Sequence, residues 1–256
     1  MKLRLIPPGD FIVGSSPEEI ESLLETTPDW NKRNIRSEGP ARDVVIDQAF
    51  YLGTCEVTVG QFHAFVTESN YQTWAERPGR AARVYDSQSQ RLQPRPGFFW
   101  NNKFVTQSED HPVVVIHRED AEAFCEWFGR KEAAEYGLPT EGQWEYACRA
   151  ESVTPWYWGA EESEASDFAW FMESKTASQA TPVGRKLPNA FGLFNMSGNV
   201  SEMTIGPLDA ILLRSGNSRN NPSLMRSAAR EIANHNDPTH RNGFRVLRKL
   251  ARRESP

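Results

Sequence analysis

Asn189-Ala190-Phe191-Gly192-Leu193-Phe194-Asn195-Met196-Ser197-Gly198-Asn199-Val200-Ser201-Glu202, with Pro188 just before it, decides how this chain is read. Glycine and asparagine tolerate positive φ, so their density predicts a backbone of successive turns. The apolar residues between them (Phe191, Leu193, Phe194, Met196, Val200) place those turns against a core. Oxygen-bearing positions 195, 198, 200 and 202 lie close enough in sequence to converge on one point, a possible seat for a hard cation.

Upstream of this stretch the chain carries clear start signals. Leu3, Leu5, Phe11 and Val13 alternate around Pro7-Pro8-Gly9-Asp10, which predicts two short strands and a turn. Ser16 or Pro17 opens a helix to Thr26, and 29–42 reads as charged and irregular, followed by strand over 43–56. Thr58 with Gln61 and Thr140 with Gln143 are capping boxes, each opening a helix. Between them, 69–110 reads as a long surface excursion anchored by Phe98-Phe99-Trp100. A short apolar strand over 111–116 and a helix over 120–135 follow. Downstream, only Leu212-Leu213-Arg214 and Phe244 to Leu247 stand out as strands. With no internal repeat and no linker, residues 1–256 read as one α+β domain, loop-rich and poor in regular structure.

The totals exclude several function classes. The net charge is −5 among 256 residues, with a pI near 5.7. That argues against nucleic acid as a partner, because phosphate binding needs a cationic face. No apolar run reaches a membrane span, and Pro7-Pro8-Gly9 interrupts any signal-like apolar segment, so a cytoplasmic protein with no membrane partner is expected. Cys55, Cys125 and Cys148 are odd in number and widely spaced, which predicts neither a disulfide framework nor a zinc site. Nothing in these totals speaks to oligomeric state.

Placed in order, the pieces resemble the formylglycine-generating enzyme family, also called sulfatase-modifying factors. The resemblance runs nearly the whole length: Pro7-Pro8-Gly9-Asp10-Phe11, Glu56-Val57-Thr58, Leu138-Pro139-Thr140-Glu141 with Trp144-Glu145, Pro188 to Leu193, and Gly198-Asn199-Val200 with Glu202. It closes with Arg214, Gly216, Asn220-Asn221-Pro222, Arg226-Ser227-Ala228 and Gly243-Phe244-Arg245-Val246. It implies a C-type-lectin-like fold, here on a cysteine-less member. The family's oxidases carry two cysteines, which bind copper and attack the substrate thiol, inside the segment that here runs Arg214 to Arg230. That segment contains no cysteine, so copper and formylglycine generation are not expected.

The resemblance also implies a structural calcium held by the Asn195 side chain, the Gly198 and Val200 carbonyls and the Glu202 carboxylate. The alternative for Glu202 is an internal ion pair with Arg226 or Arg245. Ser201 and Met203 replace tryptophans common in the family. The expected function is that of an accessory or regulatory domain binding a peptide or small molecule in a groove beside Asn217, Arg219, Asn220 and Asn221. Arg219 could meet a carboxylate or other anion there. The rival expectation is an oxidoreductase with a non-standard metal set, iron or copper held by His235 and His240.

Overall fold

The computed structural model describes residues 1–86, 88–89, 91–101, 107–172, 179–233 and 238–250. The two strands expected at the start form, as β1 (Leu3–Ile6) and β2 (Gly9–Val13), but they do not pair with each other. Instead, β2 pairs with β3 (Arg42–Ile46), and β1 pairs with β4 (Phe50–Gly53), both antiparallel. Between β2 and β3, Ser16 caps α1 (Pro17–Thr26), its hydroxyl accepting from the Glu19 amide and Glu19 returning the bond. The charged segment after it is more regular than expected, with a 3₁₀ turn over Asp29–Asn31 and α2 (Lys32–Ser37).

The Thr58 capping box opens α3 (Val59–Ser69). The long excursion after it carries an antiparallel hairpin, β5 (Ala82–Asp86) with β6 (Arg91–Arg95), and its anchors Trp74, Phe98 and Trp100 are buried. Where a strand was expected over 111–116, the backbone runs extended through the core with no ladder of its own. Val115 there has φ +60°, which a strand residue cannot adopt. Its amides bond to individual carbonyls instead: Val113 N–H to Val57 and Val115 N–H to Thr239. The next helix, α4 (Arg118–Glu132), is capped by His117, whose ring accepts from the Glu119 amide.

After β7 (Tyr136–Gly137), the Thr140 box opens α5 (Glu141–Arg149). A short α6 (Ala165–Phe168) precedes the turn-rich stretch. That stretch delivers the chain into β8 (Ser201–Ile205), which pairs antiparallel with β9 (Ile211–Arg214). The edges of that sheet are β10 (Glu231–Ile232) and β11 (Asn242–Gly243), the latter parallel to β8. Phe244 to Val246 lie outside any strand; β12 is only Leu247–Lys249, and it completes the other sheet in the order β1-β4-β12-β7.

Aromatic packing joins α3 to α4. Phe62 stacks on Phe124 at 6.0 Å, and Phe244 meets both edge-on. A second cluster sits under the turn-rich stretch, where Trp144, Leu52, Leu193 and Met196 are fully buried. The architecture is α+β, with two four-stranded and two two-stranded sheets linked by irregular backbone.

Truncating Phe124 removes the ring shared by α3, α4 and Phe244. We expect Phe124→Ala to cost about 3–5 kcal/mol, lowering the thermal midpoint by about 2–4 °C per kcal/mol in a chain of this size. A midpoint unchanged within error would show that this cluster is not the core.

Candidate functional site

The stretch 189–202 is built as its composition implies. Asn195 (φ +58°), Asn199 (φ +61°), Gly192 (φ +76°) and Gly198 (φ +81°) all occupy the left-handed region. Gly198 is required there: a Cβ would lie 2.3 Å from the Trp170 carbonyl oxygen. The asparagines supply the partners that a sheet would otherwise give. The Asn189 amide donates to the Ala147 and Cys148 carbonyls, and its carbonyl accepts from the Phe191 and Leu193 amides. Asn199 accepts from Thr181 N–H at 2.8 Å and donates to Glu56 Oε1 at 2.8 Å.

Three of the four oxygens expected to hold calcium are already engaged. Asn195 Oδ1 accepts from Gly184 N–H at 3.2 Å, and the Gly198 carbonyl accepts from Ser215 Oγ at 3.0 Å. Fully buried Glu202 accepts from Arg245 at 2.7 and 3.0 Å and from the Trp144 indole at 2.7 Å. The one carboxylate of the set is thus neutralised by a guanidinium that also donates to the Gly53 and Phe194 carbonyls. A dication needs uncommitted anionic oxygen, and Arg245 would repel it, so this donor set does not fit calcium. Of the two readings of Glu202, the ion pair is the one formed, with Arg245; Arg226 pairs instead with Glu38.

A second buried pair stands beside the first. Glu145 accepts from Arg214 at 2.6 Å, from Arg149 and from the Gly14 amide. Burial alone would raise its pKa, but Arg214 and Arg149 hold it below the usual carboxylate value. Glu56 has no such partner. Its Oε2 is buried without a hydrogen bond, and burial, then the Glu202 charge, push its pKa up to about 8 despite Arg245.

Beside Asn217 and Asn220 the surface opens into a cleft. It has a volume of about 280 Å³ and is lined by Asn217, Asn220 and Asn242, by Asn31 and Asn34, and by Trp30, Leu92 and Arg241. Asn217 is held by its neighbours: its amide donates to Ser201 Oγ at 3.0 Å and its backbone N–H to Asn220 Oδ1 at 2.8 Å. Asn221 is exposed and does not line the cleft. Arg219 lies at its edge, 5.4 Å from the Tyr85 ring centre. Reading the sequence left out the far wall, supplied by α2, β6 and β10. Only the exposed Trp30 amid charged residues was a visible sign.

The histidine alternative has only one half within view. His235 lies outside the described residues. The half-buried His240 sits against Arg241 and Arg219, and burial followed by these two charges lowers its pKa to about 4. Two guanidinium charges beside an imidazole disfavour a metal cation there. Among the described residues no three His, Cys, Asp or Glu side chains converge to hold a metal. None of the three thiols lines the cleft, and burial pushes each up to about 12.

The chain matches a described protein family and is similar to several known proteins. Residues 2–250 match the family described as Sulfatase-modifying factor enzyme 1-like domain. A formylglycine-generating enzyme of Bos taurus is 29% identical over 233 residues, covering 79% of this chain and 57% of that protein. An inactive C-alpha-formylglycine-generating enzyme 2 of Mus musculus is 30% identical over 226 residues, covering 78% of this chain and 67% of that protein. The chain therefore spans little more than half the length of the bovine relative. Among solved structures, PvdO from Pseudomonas aeruginosa superposes with a TM-score of 0.73 over 97% of this chain and 94% of that one, at 23% identity.

Two outcomes follow from the buried pairs. Glu202→Ala strands Arg245 and is expected to cost about 3–5 kcal/mol, equally in millimolar calcium and in chelator; a loss seen only with calcium present would restore the metal to this loop. For Glu56, the folded-state pKa lies above the ordinary 4.5, so its contribution to stability is complete below that pH and is lost as pH rises through about 8. Glu56→Gln should match the parent near pH 4 and exceed it at pH 8.5 in chemical denaturation. Parallel curves at both pH values would mean that Glu56 ionises normally.

Proposed function

The chain belongs to the family of sulfatase-modifying factor enzyme 1-like domains, and from that membership we propose that it is a cysteine-less binding member, not a copper formylglycine oxidase. In this reading the fold is lectin-like. It holds a peptide or small molecule in the cleft lined by Asn217 and Asn220, in a role accessory or regulatory to an enzyme system.

The observation that carries the proposal is the composition of the cleft wall. The segment from Arg214 to Arg230 contains no cysteine, yet its backbone is fixed at both ends: Arg214 donates to the Ser227 and Ala228 carbonyls, and Arg230 pairs with Glu141 at 2.8 Å. Cys125 and Cys148 are core side chains, and Cys148 donates to the Met196 carbonyl. Copper(I) and thiol oxidation need accessible thiolate, and these thiols stay protonated at neutral pH.

What remains at the cleft is recognition chemistry. The side-chain carbonyls of Asn217, Asn220, Asn31 and Asn34 accept from within the fold, which leaves the Asn242 side chain and the Asn220 NH2 group to meet a peptide backbone or a polar small molecule, and Trp30 gives an exposed aromatic face. Inactive relatives by name lie in the same family, which shows that it includes members without the oxidase activity.

Saturation-transfer NMR against a set of short peptides is the direct test. Binders should appear with the parent chain and vanish with Ile232→Trp, which fills the cleft from β10. A sulfatase-type cysteine peptide incubated with copper and oxygen should gain no aldehyde by mass spectrometry. Aldehyde formation, or peptide binding that survives Ile232→Trp, sinks the proposal.

A further inference from the structure

Arginines in this fold are matched to carboxylates almost wherever they enter it. Arg214 and Arg149 meet Glu145, Arg226 meets Glu38, Arg230 meets Glu141 and Arg245 meets Glu202. Arg219 and Arg241 are different. Among the described residues neither guanidinium is in an ion pair or accepted by any oxygen, and Arg241 Nε is buried without a partner. Both rest on the same ring: their guanidinium carbons are 5.4 and 5.3 Å from the centre of Tyr85. Beside them, His240 Nδ1 is also buried and unpartnered.

The ring is held in place by the rest of the fold. Tyr85 stands on β5, whose Arg83 N–H donates to the Pro238 carbonyl at 2.8 Å, and Arg83 pairs with Thr239. Thr239 is tied to the core by Val115. The excursion of 69–110 therefore brings an aromatic brace to the edge of the cleft. Two like charges on one brace disfavour each other, and burial with the Arg219 charge lowers the Arg241 pKa. An anion placed between the two guanidinium groups would offset that repulsion. Glu231 favours the charged Arg241 but lies beyond ion-pair distance. Arg241 itself lines the cleft, next to Asn217, Asn220 and Asn242.

We infer that Arg219 and Arg241, braced on Tyr85 at the cleft mouth, bind the carboxylate of a ligand whose body lies among the cleft asparagines. This rests on the cleft being the binding site and names the chemistry of what it takes. A planar carboxylate can accept from two guanidinium groups at once. A dianionic phosphate suits the place less well, because Glu38 and Glu231 also line the cleft. The carboxylate can be a peptide C terminus or an acidic side chain.

The test is thermal unfolding in glutarate against sodium chloride at equal ionic strength. The parent midpoint should rise by about 3 °C or more in glutarate at concentrations well above Kd. Arg219→Gln and Arg241→Gln should each abolish the rise, while melting no lower than the parent in chloride. Ile232→Trp should keep the rise, so that failure of the cleft reading leaves this result standing. Equal midpoints in the two salts, or a rise that persists in Arg219→Gln, overturn the inference. So does a destabilised Arg219→Gln in chloride, which would mark a structural arginine. Titration with acetyl-Ala-Ala-Ala carrying a free C terminus, and with acetyl-Ala-Glu-Ala-amide, identifies which carboxylate is read. The preferred peptide should lose at least about tenfold in affinity with either variant. Equal binding of acetyl-Ala-Ala-Ala-amide would remove the carboxylate from recognition altogether.

Discussion

The Arg245–Glu202 pair, with Trp144 between it and a second pair, is the constraint on which the irregular half of the molecule depends. Arg245 closes on Glu202 and on the carbonyls of Gly53 and Phe194, so one side chain joins the end of β4, the turn-rich stretch and β8. Trp144 donates its indole N–H to Glu202 and offers its face to Arg214 at 5.2 Å, and Arg214 holds Glu145. All five side chains are fully buried. A backbone without ladder partners still has to satisfy every carbonyl, and guanidinium groups with several donors each do that work. Buried pairs of this kind are weak sources of net stability, but breaking one leaves a charge stranded. Their role here is to specify where loops go.

Much of this was legible in the chain itself. Ser16, Thr58 and Thr140 each announce a helix because capping is local chemistry, read from four consecutive residues. The left-handed turns at 195, 198 and 199 were equally visible, since side-chain type limits φ directly. What could not be read was pairing. The alternation that marks β1 and β2 says nothing about which sheet each joins, and they join different ones. Residues 111–116 show the same limit from the other side. Their apolar run predicts a strand, but burial on every side and the bend at Val115 leave no neighbour to complete one.

The cleft was half legible. Asn217, Arg219 and Asn220 were placed by their position in a turn-rich, cysteine-free segment, and they do stand at the cleft or its edge. The opposite wall comes from Trp30 to Glu38, nearly two hundred residues away, and no local pattern links the two. Likewise the partner of Glu202 could be narrowed to two arginines; only the fold chooses Arg245. Charge complementarity tells that an internal carboxylate needs a cation but not which one.

The order β1-β4-β12-β7 carries a consequence for time. Strand β4 lies between β1 and β12, so one of its edges stays open until Leu247–Lys249 have been synthesised. Arg245, which neutralises Glu202, arrives equally late. A nascent chain therefore holds an exposed strand edge from β4 until β12 emerges, at a ribosomal pace of about 5–20 residues per second. Helices α3, α4 and α5 form from local contacts, whereas closing the sheet needs contacts between residues nearly two hundred positions apart, which slows folding. During that interval the chain is open to edge-to-edge aggregation, and protection of nascent chains becomes a condition for producing this protein in quantity.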